Sequence, residues 1–179
     1  MKKHLPAGFQ LYPLMTKMMS GSTTAIERRR QIEAICLRLL ARRDHSRREL
    51  LDKLGLRGFQ PSEAKPVIDA MAEQNWQNDA RYAESYIRQR IASGYGPVRI
   101  RYELQQRGIT NADPDAQIEQ QGGWQNLLMG VYGKKYPEES SLTLNEWLKR
   151  SRFLQQRGFT TDMIKWLHAE LKLRWPGSS

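Results

Sequence analysis

The chain has 179 residues and carries 29 Lys and Arg against 19 Asp and Glu, a formal charge of +10 with a pI of about 9.9. A hydrophobic content of 39%, with five Trp and seven Tyr, excludes a disordered chain and gives enough material for a core. The lone Cys36 excludes a disulfide framework and a cysteine metal set, no run reaches the roughly 18 apolar residues of a membrane span, and the N-terminus has no signal-peptide pattern. The expectation is a folded, soluble, cytoplasmic protein in a reducing compartment.

Residues 1–25, with Pro6, Pro13 and the run Ser20-Gly21-Ser22-Thr23-Thr24, show no sustained period and read as a flexible extension. A first helix is predicted from about Glu27 to Arg42, with Ile32, Ile35, Cys36, Leu39 and Leu40 on one apolar stripe. The second begins at Ser46, where Ser46-Arg47-Arg48-Glu49 has capping-box spacing, and ends in Leu54-Gly55-Leu56-Arg57-Gly58. Pro61 suits the opening turn of a third helix that turns Val67, Ile68, Met71 and Trp76 inward, with Pro66 in its first turn or bending it.

Asn78-Asp79 caps a fourth helix through Tyr82, Ala83, Tyr86, Ile87 and Ile91, which stops at Gly94-Tyr95-Gly96-Pro97. The next carries Val98, Ile100 and Leu104 and ends in Leu104-Gln105-Gln106-Arg107-Gly108, after which a weak helix follows. Trp124, Leu127, Leu128, Val131 and Tyr132 form a further stripe despite Gly130 and Gly133. A loop from Pro137 to Thr143 leads to two last helices, which meet at Leu154-Gln155-Gln156-Arg157-Gly158 and present Met163, Ile164, Leu167 and Leu171.

The three leucine-to-glycine units recur at about fifty-residue spacing, and an apolar residue follows each glycine (Phe59, Ile109, Phe159). Glycine at C′ in the left-handed conformation would put leucine at C3 and the apolar residue at C″, the pair that touches in a Schellman motif. Gly58, Gly108 and Gly158 are therefore structural helix stops, and Arg57, Arg107 and Arg157 answer free carbonyls of the last turn. The chain is predicted to be all-α, an elongated, arc-shaped tandem array of about three three-helix repeats with no sheet. After the 1–25 extension the repeats span 26–77, 78–121 and 122–175, and 176–179 is a tail.

Charge is uneven: +3 over residues 1–25, +6 over 26–109, −4 over 110–148 and +5 over 149–179, so two basic regions bracket an acidic one. His4, His45 and His168 lie in different elements, and no paired carboxylates, P-loop or metal spacing accompany them. No enzyme, catalytic residue, metal or cofactor is expected. Arginines offer the better lead, because Arg81, Arg88, Arg90, Arg99, Arg101 and Arg107 flank Tyr82, Tyr86, Tyr95 and Tyr102. Such a mixture suits an acidic protein surface or phosphates. Tyr82 and Tyr86 fit a core by period, whereas Tyr95 lies between glycines, where a contact and a staple between helices both fit. A sequence-reading helix-turn-helix would need basic recognition helices, but those after Gly58 and Gly108 are acidic.

Asn78-Asp79-Ala80-Arg81-Tyr82-Ala83-Glu84, continuing through Arg88 to Gly94-Tyr95-Gly96-Pro97-Val98-Arg99-Ile100-Arg101-Tyr102-Glu103-Leu104, resembles the central signature of the RecX regulatory family. The run from Leu40 to Leu50 resembles the family's first repeat and that from Arg152 to Phe159 its last, so the likeness covers about 30–172. Asn78 stands where the family commonly has aspartate, and Arg150 fills the apolar position of Leu50 and Ile100, which suggests a third repeat packed differently. The resemblance implies a non-enzymatic regulator that binds the RecA recombinase and the RecA–DNA filament and inhibits ATP hydrolysis, strand exchange and coprotease function, in DNA repair, recombination and the SOS response; a monomer is expected. Arg88, Arg90, Tyr95, Arg99 and Arg101 are the candidate RecA or DNA contacts. A basic protein binding DNA through non-specific phosphate contacts, weakly on single or double strands, is the alternative.

Overall fold

The computed structural model describes residues 12–137 and 143–174. Among them are nine helices and no strand: α1 (Tyr12–Leu40), α2 (Arg47–Gly55), α3 (Pro61–Glu73), α4 (Asp79–Ala92), α5 (Pro97–Gln106), α6 (Pro114–Glu119), α7 (Gly123–Lys135), α8 (Leu144–Gln156) and α9 (Thr161–Arg174). None is long and apolar enough to cross a membrane. Helix α1 begins at Tyr12, inside the segment that the sequence reads as an extension. Residues 1–11 of that extension, most of the expected loop after Pro137, and the tail lie outside the described residues.

Two compact units divide at Gln77 and Asn78, with Ser46–Arg48 grouped with the second. In the first, Ile32 and Cys36 of α1 meet Leu50, Leu54, Val67, Ile68 and Met71 in a closed core, as the 3.6-residue period predicts. Burial pushes the Cys36 thiol up to about 11. Glu63 pairs with Arg28 and accepts the Gln60 N–H at 2.8 Å, and these contacts, the arginine foremost, hold its carboxyl down at about 2. Trp76, expected inward, is 46% exposed. Helix α3 has ended by Glu73 and Asn75 takes a positive φ of 59°, so the helical period no longer governs where residue 76 falls.

The second unit holds two clusters. Tyr82, Tyr86, Ile87, Ile91, Ile100, Leu104, Ile109 and Ile118 form one, and Leu128, Tyr132, Leu154, Phe159, Ile164, Leu167 and Leu171 the other. Asn78 caps α4 by accepting the Ala80 and Arg81 N–H groups at 2.9 and 3.0 Å, so asparagine serves where the family commonly has aspartate. The weak helix is α6, six residues opened by Pro114 and capped by Asp113. Arg150 is buried at the apolar register position, where it donates to the Tyr132 hydroxyl at 2.6 Å and lies 4.7 Å from the Tyr136 ring centroid. Two tyrosines thus accommodate a cation where α2 and α5 place Leu50 and Ile100.

Candidate functional site

The site grows from the turn that joins α4 to α5. Gly94 takes φ +75°, and the Tyr95 N–H reaches back to the Arg90 carbonyl at 3.1 Å, which closes α4 and projects the Tyr95 ring sideways. Gly96 and Pro97 then open α5. Its first free donors do not go to a capping side chain: Gly96 N–H donates to the Arg157 carbonyl at 2.8 Å, and Val98 N–H to the Gly158 carbonyl at 3.1 Å. The positive end of α5 is therefore satisfied by the negative end of α8, which answers both helix dipoles at once. Such an approach requires the absence of side chains. A Cβ on Gly96 would lie 2.4 Å from the Gly158 carbonyl oxygen, and one on Gly158 2.4 Å from Arg99 Cβ.

Three guanidinium groups surround the Tyr95 ring, those of Arg90, Arg99 and Arg157, at 4.9, 4.7 and 5.4 Å from its centroid. Like charges tolerate this because each is tied elsewhere. Arg157 Nη1 donates to the Ser93 and Gly94 carbonyls at 2.8 and 3.2 Å, and Arg99 Nη1 to the Gln156 carbonyl at 3.0 Å. Glu103 supplies the carboxylate, with Oε2 at 2.7 Å from Arg90 Nε and Oε1 at 3.0 Å from Arg99 Nε. Tyr86 donates its hydroxyl to Glu103 at 2.6 Å and accepts from Arg90 at 2.9 Å, while Arg107 lies 4.6 Å from the Tyr86 ring centroid. Burial alone would raise the Glu103 carboxyl, but the hydrogen bonds from Tyr86 and Arg99 and the charges of Arg90 and Arg99 outweigh it and hold the group below its ordinary value. Burial, helped by the bond to Glu103, pushes the Tyr86 phenol up.

Of the five candidate contacts, Arg90, Tyr95 and Arg99 come together in this network. The other two stand apart. Arg101 is ion-paired with Asp115, which also accepts the Trp124 indole N–H at 2.7 Å. Arg88, exposed on another side of α4, lines a groove of about 690 Å³ together with Glu84, Asp79 and Asp113. Gly58, Gly108 and Gly158 have φ of +82°, +77° and +88°, and Phe59, Ile109 and Phe159 donate N–H to the Leu54, Leu104 and Leu154 carbonyls at 3.2, 3.0 and 3.2 Å. Arg57 and Arg107 donate to carbonyls of their own helices, those of Lys53 at 2.6 Å and Glu103 at 2.7 Å. Arg157 departs from that pattern and serves the end of α4 instead.

Sequence reasoning missed Glu103 as the hub, although Arg99 and Glu103 stand at i and i+4. It names Tyr102 beside the arginines and sets Val98 with Ile100 and Leu104, but takes neither as a contact; the two, likewise four apart on α5, are 60% and 52% exposed. Of the histidines in the described residues, His45 is buried with its Nδ1 at 2.9 Å from Glu49, and the His168 ring stacks on Trp147 with centroids 4.3 Å apart. No group of three or more His, Cys, Asp or Glu side chains among the described residues is placed to hold a metal ion.

Comparison with known proteins gives this arrangement a family context. Residues 78–115 match a family model described as the second three-helix domain of RecX, and residues 34–70 match that for the first. A protein of Pseudomonas fluorescens named Regulatory protein RecX is 42% identical over 127 residues, which cover 70% of this chain and 82% of that one. A protein of the same name from Halorhodospira halophila is 40% identical over 130 residues, 72% of this chain and 81% of the relative. Among solved structures, RecX from Lactobacillus salivarius superposes with a TM-score of 0.63 at 23% identity, covering 83% of this chain and 99% of that one. A second crystal structure, of a regulatory protein RecX, gives 0.66 at 17% identity over 92% and 79% of the two chains. These two likenesses bear on the fold.

Proposed function

The chain belongs to the RecX family of regulatory proteins, and from that premise we propose that it binds the RecA recombinase and its filament on DNA, restraining ATP hydrolysis, strand exchange and coprotease function without catalysing a reaction itself. The observation that carries the reading is the solvent side of α5. Val98 and Tyr102 are exposed there, between Arg99 and Arg101, whose side chains are 43% and 48% exposed. An exposed tyrosine between arginines has the composition of an interaction hot spot. Arg90 and Tyr95 brace Arg99 from behind, so little side-chain freedom is lost when a partner docks. Arg88 adds a separate cationic contact from α4, and the basic surplus steers the chain towards acidic surfaces.

Tyr102→Ala tests this most directly, because the residue is exposed and its loss leaves the network behind Arg99 intact. The concentration needed to half-inhibit DNA-dependent ATP hydrolysis by RecA should rise at least about tenfold, with an unchanged circular-dichroism melt. Inhibition equal to wild type in both Tyr102→Ala and Arg101→Ala would overturn the assignment. Exposed Arg29, Arg30, Arg38 and Arg42, in and just after α1, favour a second reading as a non-specific phosphate binder. That reading demands duplex binding whose affinity falls steeply with salt and is indifferent to sequence, and it makes Tyr102→Ala silent.

A further inference from the structure

A second groove, outside the α5 face, is lined by Gly94, Leu127, Gly130, Val131, Lys134, Lys135, Phe153 and Arg157 among others and has a volume of about 530 Å³, within the range of small-ligand sites. Its charge is one-sided. The groove at Arg88 mixes Asp79, Glu84 and Asp113 with its arginine, whereas the lining described here holds Lys134, Lys135 and Arg157 and no carboxylate. The exposed end of α4 would ordinarily oppose an anion, because free carbonyls concentrate negative charge at a helix C-terminus. Arg157 removes that obstacle by donating to the Ser93 and Gly94 carbonyls. The floor is apolar, formed by Leu127, Val131 and Phe153, and Gly130 leaves it open: a Cβ there would meet nothing within 4 Å.

The aromatic ring decides between two kinds of polyanion. Single-stranded nucleic acid is held by cations together with an open ring on which a base stacks. Phe153 offers no such platform. Arg157 lies 5.1 Å and Lys135 5.9 Å from its centroid, and Tyr136 approaches it edge to face at 6.0 Å. What remains is an apolar floor with lysine ammonium groups on the rim, which matches a peptide that places an apolar side chain beside carboxylates.

We propose that this groove is a docking site for an acidic segment of a partner protein, with a leucine-like side chain on the Leu127–Val131 floor and carboxylates at Lys134 and Lys135. The site does not depend on the α5 face, and it is tested without RecA. Fluorescence anisotropy of the full chain would be measured with a fluorescein-labelled hexapeptide of alternating Glu and Leu, against the same peptide with Gln for Glu. Gly130→Leu should fill the groove without backbone strain and, as a better helix former, leave the melt equal or higher. Lys134→Ala with Lys135→Ala removes the rim charge should the leucine disturb packing. The Glu-Leu peptide should bind at least tenfold more tightly than the Gln-Leu peptide, and both variants should weaken it at least tenfold. Equal binding of the two peptides, binding untouched by both variants, or displacement of the peptide by an equimolar oligothymidine would each overturn the proposal.

Discussion

Replacing Gly158 by alanine should cost far more than the same change at Gly58, although the two glycines occupy the same position of the same motif and have φ of +88° and +82°. An L-residue in the left-handed region costs about 1–2 kcal/mol, which alanine's smaller unfolded-state entropy offsets in part. Nothing stands within 4 Å of a Cβ built on Gly58, so a loss of about 1 kcal/mol is the whole expected effect there. A Cβ on Gly158 would instead lie 2.4 Å from Arg99 Cβ and 2.5 Å from the Arg99 backbone nitrogen. The start of α5 must then move, which adds about 1–3 kcal/mol of overpacking and loosens the bonds from Gly96 and Val98 at about 0.5–1.5 kcal/mol each. The total is about 3–7 kcal/mol. Gly96→Ala isolates the steric part, since φ there is −84° and only the approach to Gly158 is lost. Urea unfolding followed by circular dichroism gives the three values, each read on the transition of its own unit, and amide exchange at Val98 reports the local opening. If Gly158→Ala and Gly58→Ala agree within about 0.5 kcal/mol, the limit of ordinary surface changes, the α8 to α5 junction is not the close backbone contact argued above.

Acid should destabilise the fold through carboxylates held below their ordinary range. The stability that Glu63 and Glu103 confer is present above the unfolded carboxylate value and lost as pH falls through the folded one, which for Glu63 is about 2. Thermal melts between pH 7 and pH 3 should therefore show a shallower decline for Glu63→Gln than for wild type, and parallel curves would remove Glu63 from the account. The Cys36 thiol, buried and pushed up to about 11, should not react with Ellman's reagent at pH 8 in the native protein and should react fully in urea; rapid native reaction would contradict its burial. Arg150→Leu restores the apolar pattern of the other copies and should stay within about 1.5 kcal/mol of wild type, whereas Arg150→Ala leaves a void beside Tyr132 and Tyr136 and should cost about 2–4 kcal/mol. Equal losses for the two would mean that the arginine's charge, and not its volume, is what the site needs.

What could be read from the sequence was what depends on near neighbours. A glycine's freedom at positive φ, an apolar period of 3.6 and a cap at Asn78 are properties of a few consecutive residues, and they located the helices and their stops. The stop arginines show where that logic ends. Arg57 and Arg107 reach carbonyls four residues back, as a last-turn cation can, but Arg157 reaches residues 64 and 63 positions away. No periodicity carries that information, because the choice depends on the end of α4 lying beside the third stop. Trp76 shows the opposite case: a local break at Asn75 ends the period that would place it inside. Tyr95 lay between two readings, staple and contact, and its three cation neighbours account for the difficulty. It staples α4 and α8 to Arg99, and by doing so fixes a group that faces solvent.

That double role governs how the α5 face has to be probed. Arg99 donates to Gln156 and Glu103 and lies over Tyr95, so removing it would release the end of α8, unbalance the Glu103 carboxylate and delete a surface cation together. A loss of the proposed RecA inhibition in Arg99→Ala could then come from any of three causes, and Arg101→Ala similarly releases Asp115. Val98 and Tyr102 are the informative positions, because their side chains are exposed and neither belongs to the Glu103 network. The residues that the chemistry of arginine and tyrosine made conspicuous in the sequence are largely those that hold the face in place. The proposed contact falls more on Val98 and Tyr102, residues of the same stretch that lie outside the five candidate contacts.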